Sequence, residues 1–236
     1  LLANTFLIII KKVLANNPQA KFLMENVRMK KEFEEYITFH TQEALGKVNK
    51  HLVNSALVSA QNRKRFYWTN IDGIQQPEDQ GLILADILMD GHVDRDKSHC
   101  LDANYFKGGN PKSYFGKSRR QLVFDRPCEL KDFDPKAECH HVATATDING
   151  HDSIKRVYAD SGKSPTINTM GGGNREPKVL VSNQIPTYRK LRPCECEALQ
   201  TFPIGYTEGI SNSQRYKCLG NSFTVSVVSH ILSYAF

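Results

Sequence analysis

The chain has 236 residues, 40% hydrophobic and 24% charged, with 31 Lys and Arg against 25 Asp and Glu. Those are globular values, neither disordered nor fibrous, and the length suits one to two domains of about 150 residues each. The longest apolar run, Phe6 to Ile10, is far short of the roughly 20 residues that cross a bilayer, and Lys11 and Lys12 follow that run instead of preceding it, which excludes a transmembrane helix and argues against a signal peptide.

Leu2, Phe6, Ile9, Ile10, Val13 and Leu14 recur at spacings of three and four, which predicts an amphipathic helix. Asn16-Asn17-Pro18 stops it, because the residue before proline avoids the helical region. Lys21 to Val27 reads as a short apolar strand, and Met29 to Leu45 as a helix stopped by Gly46. His51 to Ser59 and Arg65 to Ile71 read as two more strands, so this part resembles one portion of an α/β sheet. From Asp72 to Thr187 the pattern breaks up into a glycine- and proline-rich stretch. Short strands are expected there near Arg120 to Phe124, Ile154 to Tyr158 and Lys178 to Val181. Regular patterning returns with a helix from Pro193 carrying Glu195 to Leu199, and a last helix from Phe223 to Tyr234.

Charge is unevenly spread. Asp72 to Asn104 carries eight acids against Arg95 and Lys97, while Tyr105 to Val123 carries Lys107, Lys112, Lys117, Arg119 and Arg120 and no acid. Tyr105, Phe106, Tyr114 and Phe115 are interleaved with those cations. Such a mixture suits phosphates and stacked bases, and equally a solvated loop over buried rings. Six cysteines without regular spacing do not make a disulfide scaffold, and reduced thiols inside a cell are the expectation. Cys128, Cys139, His140 and His141 lack paired Cys-x-x-Cys spacing, so no metal site is expected. The chain begins with Leu1 and not Met, so the start of translation is expected upstream.

Three segments stand out chemically. Phe22 to Val27 places Glu25 at the carboxyl end of a strand, where ligand sites of open α/β sheets lie. An apolar setting raises a carboxyl pKa and suits it to deliver a proton; a structural carboxylate is the alternative. On a strand from Gln61 to Arg65, alternate residues Gln61, Arg63 and Arg65 share a face, and two guanidiniums there form an anion or carbonyl site or a solvated turn. Gly220-Asn221-Ser222 precedes the last helix, as an anion-binding terminus or an ordinary cap. Gly171-Gly172-Gly173 has no Lys-Ser or Lys-Thr after it, so a recognition loop is expected and not a phosphate loop.

In order, these segments resemble the C-terminal half of the DNA (cytosine-5) methyltransferases. Glu25-Asn-Val27 resembles the sixth motif of that family and Gln61-x-Arg63-x-Arg65 the eighth. Arg189 to Pro203 resembles the ninth, with Arg192 where Thr is usual, and Tyr216 to Val225 resembles the tenth. The resemblance implies an α/β fold: a partial Rossmann-like S-adenosylmethionine-dependent methyltransferase sheet with an inserted irregular, mostly β target-recognition domain. It divides the chain into catalytic core (1–71), target-recognition domain (72–188) and a return to the core (189–236).

It also implies a chemistry. A cysteine thiolate adds to C6 of a flipped cytosine, C5 takes the methyl group of S-adenosyl-L-methionine, and elimination frees the enzyme. By position, Glu25 would bind the base edge and protonate N3, Arg65 would contact O2, and Arg63 would order the catalytic loop. Asn221 and Ser222 would hold the amino-acid end of the cofactor. Gln61, Lys117, Arg119, Arg120, Thr166, Ile167, Gly172 and Arg175 would contact DNA, the last through bidentate reading of guanine. Double-stranded DNA is the implied partner, in a bacterial or phage-infected cytoplasm. The sequence has no Phe-x-Gly-x-Gly cofactor loop and no Pro-Cys nucleophile before Glu25. A truncated enzyme, or a split one with a complementary N-terminal half, is therefore expected to be inactive alone. Alternatives are a non-catalytic DNA-binding module and a tRNA cytosine-5 methyltransferase.

Overall fold

The structure is a computed structural model that describes residues 2–129, 133, 141–159, 165, 175–180 and 186–236. In chain order the elements open with helix α1 (Leu2–Asn16), strand β1 (Leu23–Val27), helix α2 (Lys31–Leu45) and strands β2 (Asn49–Asn54) and β3 (Lys64–Thr69). Then come α3 (Pro111–Lys117), β4 (Leu122–Phe124), β5 (His141–Thr144), α4 (Asp152–Lys155), β6 (Arg156–Ala159), β7 (Lys178–Leu180) and β8 (Tyr188–Lys190). Helices α5 (Pro193–Leu199), α6 (Asn212–Asn221) and α7 (Val225–Leu232) close the chain.

The chain forms two compact units. The first comprises Leu1–Met89, Arg95–Gly108 and Leu191–Phe236, and the second Asp90–Asp94 and Gly109–Lys190. These limits differ from the expected boundaries at 71/72 and 188/189. The acid-rich stretch after Asp72 stays with the first unit because its apolar residues are spent there: Ile74 and Leu101 are buried and Leu84 is fully so. Lys97 adds an anchor, its ammonium donating to the carbonyls of Ala56 (2.7 Å), Ser59 (3.2 Å) and Leu82.

The first unit is built on a sheet of order β1-β3-β2. Both outer strands run antiparallel to β3, and so parallel to each other. Side chains alternate across β3. Phe66 and Trp68 face one layer with Phe22 and Val48, covered by Phe6, Ile10 and Leu14 of α1 and Ile37 and Leu45 of α2. Trp68 is fully buried, and its Nε1 donates to Thr38 Oγ1 at 2.9 Å. Tyr67 faces the opposite layer with Val53, Val58 and Ile71, covered by Val227 and Ile231 of α7. Glu32 and Glu34 in the first turn of α2 oppose the positive end of its dipole, and Gly46, at φ 81°, supplies the positive-φ residue that ends it.

In the second unit β4 and β8 form an antiparallel pair, and β6 joins β5 antiparallel and β7 parallel. Tyr114 of α3 packs with Leu122 and Phe124 of β4. Arg189 of β8 pairs with Asp90 at 2.7 Å.

Several sequence expectations are corrected. The strand expected to run to Ser59 stops at Asn54, whose side-chain Oδ1 accepts from the backbone N–H of Ala56 and of Arg63 and turns the chain. Ile154 lies in α4, and the strand begins only at Arg156. Arg120 is outside β4, held at φ 56°. Helix α6 is absent from the sequence reading, and the last helix spans Val225–Leu232 instead of starting at Phe223.

Candidate active site

The register of β1 against β3 sets Glu25 opposite Tyr67 and Val27 opposite Arg65. Strand alternation then puts Glu25, Arg65 and Tyr67 on the face that α7 covers. Glu25 Oε1 lies 3.2 Å from Arg65 Nε and 3.9 Å from Arg63 Nη2. The three side chains are 22%, 14% and 3% exposed, so the carboxylate is reachable while Arg63 is not. Burial raises the Glu25 carboxyl above its ordinary pKa, and the two guanidiniums only partly offset this. Tyr67 beneath it is pushed up too, first by burial and then by the Glu25 charge, so the phenol stays protonated.

Arg63 works as a tie. Its Nη1 donates to the Leu101 carbonyl at 3.1 Å, and its Nη2 donates to the Ser222 carbonyl. It therefore joins the segment leading into β3, the loop at 100–102 and the end of α6 in one place.

Gln61 lies in the same region but is fully buried. Its Nε2 donates to the Leu199 carbonyl (3.2 Å) and Gln200 Oε1 (3.3 Å), and its Oε1 accepts from the Leu101 N–H (2.8 Å). The expected DNA contact by Gln61 is corrected on this ground: it has no surface to offer, and its amide is used internally. Gln200 extends the network, donating to the Leu219 carbonyl and accepting from Thr224 Oγ1, which also meets Ser55 Oγ at 2.8 Å.

Gly220 and Asn221 end α6, and Ser222 is its C-cap. The cap of the last helix is Thr224, so the anion-binding-terminus argument for Asn221 and Ser222 does not hold. Ser222 Oγ donates back to the Leu219 carbonyl at 2.9 Å, while Asn221 is exposed. A side chain at Gly220 is excluded, because a Cβ there would lie 2.3 Å from the Asp102 carbonyl.

Lys117 and Arg119 are exposed in the second unit, Arg120 is half-buried and Arg175 is exposed. Thr166, Ile167 and Gly172 lie outside the described residues. Among the described residues no three His, Cys, Asp or Glu side chains gather as a metal site.

Two residues that the sequence reading passed over belong to this part of the molecule. Cys100 Sγ lies 3.5 Å from Arg63 Nη1 and 3.6 Å from Arg65 Nη2. Glu197, fully buried on α5, accepts from the N–H of Gly205 (2.7 Å) and of Thr207 (2.9 Å) and pairs with Arg215 Nη2 (2.9 Å). Neither sits in a sequence pattern that signals its role. Cys100 reaches the arginines only through the path of its loop.

The chain is mixed α/β, with Glu25 set against Arg65 on one sheet face and Arg63 beside them. The model of the C-5 cytosine-specific DNA methylases matches residues 3–235, and the chain belongs to that family. It is 63% identical to the orphan methyltransferase M.Rho11sI of Bacillus phage rho11s, over 36% of this chain and 34% of the phage protein. It is 37% identical to the orphan methyltransferase M.SPBetaI of Bacillus phage SPbeta, over 36% of this chain and 30% of that protein. The matched segments thus span about a third of these relatives. Among solved structures, the Dnmt2 methyltransferase of S. pombe aligns at TM-score 0.52 and 16% identity, covering 96% of this chain and 71% of that one. A DNMT2 mutant from Spodoptera frugiperda aligns at TM-score 0.52 and 20% identity, covering 92% and 66%. These structural likenesses concern the fold.

The family uses S-adenosylmethionine. Asn221, at the end of α6, is exposed next to the Ser222 carbonyl that Arg63 holds.

Proposed function

We propose that this chain is the base-holding and target-reading part of a DNA cytosine-5 methyltransferase, its first unit a partial Rossmann-like core and its second a target-recognition domain. One observation carries the reading: Glu25 and Arg65, on different strands, meet at 3.2 Å on a single sheet face, with Arg63 behind them. A cytosine swung out of its duplex needs such partners, because extrusion gives up its stacking and pairing, on the order of a few kcal/mol.

Each group has a share. Glu25, with its carboxyl raised in pKa, holds the proton that goes to N3 and grips the base edge. Arg65, the more exposed guanidinium, donates to the cytosine O2. Arg63, buried and bonded to two backbone carbonyls, keeps Arg65 and Glu25 in register with the Ser222 segment. Asn221 and Ser222 would hold the amino-acid end of S-adenosylmethionine, which when bound would supply the methyl group for C5. Lys117, Arg119, Arg120 and Arg175 of the second unit meet the duplex, with Thr166, Ile167 and Gly172 as further base-reading residues.

Residues 1–24 hold neither the Phe-x-Gly-x-Gly loop nor a Pro-Cys, so the nucleophile and the rest of the cofactor site come from outside these 236 residues, from an upstream part of the same enzyme or from a complementary N-terminal half. The test is transfer of labelled methyl from S-adenosylmethionine to DNA. The chain alone is expected to give none, and addition of the remaining portion of the phage rho11s methyltransferase is expected to restore it. Glu25→Gln and Arg65→Ala are then expected to lower the restored rate at least about a hundredfold. Full activity in either variant, or transfer by the chain alone, refutes the reading. Sequence-specific DNA binding with no restored transfer would instead mark the chain as a binding module.

A further inference from the structure

The loop that delivers Cys100 is fixed on both sides of it. Ser98 is fully buried, donates its N–H to the Ala60 carbonyl (2.7 Å) and accepts from the Asn62 N–H (3.0 Å). It also pairs with Gln61 in a parallel bridge. On the other side Leu101 is buried, with its N–H on Gln61 and its carbonyl on Arg63. Asp102 lies against Gly220 so closely that no side chain fits between them. Between these anchors Cys100 remains partly exposed, and its position is set by its neighbours and not by its own burial.

Its sulfur is turned toward the arginines. Arg63 Nη1 and Arg65 Nη2 approach it at 3.5 and 3.6 Å, and the thiol itself reaches the Leu101 carbonyl at 3.4 Å. A second observation is independent of the thiol. Arg63 is 3% exposed, and its Nε is buried with no hydrogen-bond partner. Most buried N–H groups in folded proteins have an acceptor, so one without is a cost that calls for a reason. Here it lies behind the reachable Glu25–Arg65 contact, where it leaves the guanidinium charge incompletely balanced beside the site.

Resting on the reading of Glu25, Arg63 and Arg65 as a base-holding site, we propose that Cys100 is a further binding residue of that site, a small thiol contact against the face or edge of the extruded pyrimidine. It sets the depth of the site: serine preserves it, and a large side chain fills it. Its part is contact, not covalent addition.

The experiment reads alkylation of Cys100 by iodoacetamide in the full chain, followed by peptide mass spectrometry, with the exposed Cys218 as internal control. The probe is a pool of duplexes with randomised flanks and one cytosine opposite an abasic site; the reference pool has that cytosine paired to guanine. At concentrations that shift the whole protein in a gel, the abasic pool is expected to slow Cys100 alkylation about fivefold or more over the paired pool, with Cys218 unchanged. Cys100→Ser is expected to bind the abasic pool within about twofold of the parent, and Cys100→Phe at least about tenfold more weakly, with unaltered far-ultraviolet circular dichroism. Equal alkylation in both pools, while Glu25→Gln still weakens binding of the abasic pool, overturns the role of Cys100 and leaves the base site standing. No preference for the abasic pool in the parent chain, or no DNA binding at all, removes the base site and Cys100 with it.

Discussion

Replacing Gly220 by alanine tests how the site is assembled, because the local and tertiary expectations have opposite signs. Gly220 lies in the last turn of α6. In a helix, glycine to alanine ordinarily stabilises by about 0.5–1 kcal/mol, since glycine loses more backbone freedom on folding. Here the new methyl group would sit 2.3 Å from the carbonyl carbon and oxygen of Asp102 and 2.6 Å from the Ala103 nitrogen. Ordinary contact needs about 3.5 Å or more, so one backbone must retreat by roughly 1 Å. All three atoms are backbone, and no rotamer change relieves them. Overpacking of this kind costs typically about 1–3 kcal/mol, and the displaced loop also carries the Leu101 bonds to Gln61 and Arg63, each worth about 1 kcal/mol. The net expectation is a loss of about 2–3 kcal/mol. Urea unfolding followed by Trp68 fluorescence reads it, since the only tryptophan lies in the core of the first unit. A Gly220→Ala chain as stable as the parent or more so refutes the claim that this contact holds the 100–102 loop against α6.

Three further outcomes follow from the same geometry. Gln61→Leu leaves the Leu101 N–H without its buried acceptor, while the Leu199 carbonyl keeps the Ser59 hydroxyl, and is expected to lower stability by about 1–3 kcal/mol, with no change in the salt dependence of DNA binding; a changed salt slope would return Gln61 to the DNA surface. Glu25 has a raised carboxyl pKa, so the folded state holds its proton longer than the unfolded chain, and stability falls as pH rises from the ordinary carboxylate value through the raised one. Glu25→Gln is expected to remove that decline, and unfolding curves of parent and variant that stay parallel across the window count against it. Glu197 is held below its ordinary pKa: its burial pushes upward, but hydrogen bonds from Thr207, Arg215 and Gly205 outweigh that. Its contribution is present above the ordinary carboxylate value and lost as pH falls through the lowered one. Glu197→Gln is expected to cost about 3 kcal/mol at neutral pH and to make unfolding less sensitive to acid, measured as the acid midpoint.

The helices α1 and α2 and the strands β1 and β3 were legible in the sequence to within a few residues, and so was the closeness of Glu25 to Arg63 and Arg65. Periodicity is a local property, and the motif residues recur in fixed order along the chain. The end of β2 at Asn54 and the course of α6 were not legible. One depends on a side chain capping a turn onto Arg63, and the mean polarity of Asn212–Asn221 hides the helix there.

The amino-acid sequence by itself determined which groups these 236 residues have available: an acid on a strand of apolar residues, arginines two apart at Arg63 and Arg65, and, within residues 1–24, no Phe-x-Gly-x-Gly loop or Pro-Cys ahead of Glu25. Only the tertiary structure decided how they are used. Three residues of like parity, Gln61, Arg63 and Arg65, have three different environments. Gln61 is sealed into a network with Gln200, Arg63 is bonded to the Leu101 and Ser222 carbonyls, and Arg65 is left to face Glu25. Cys100 joins them across 35 positions of chain because Lys97, Ser98, Leu101 and Gly220 fix the loop that carries it. Burial, hydrogen bonding and steric exclusion act between residues that the chain brings together only on folding, so no local pattern records which of several similar side chains ends exposed at the site.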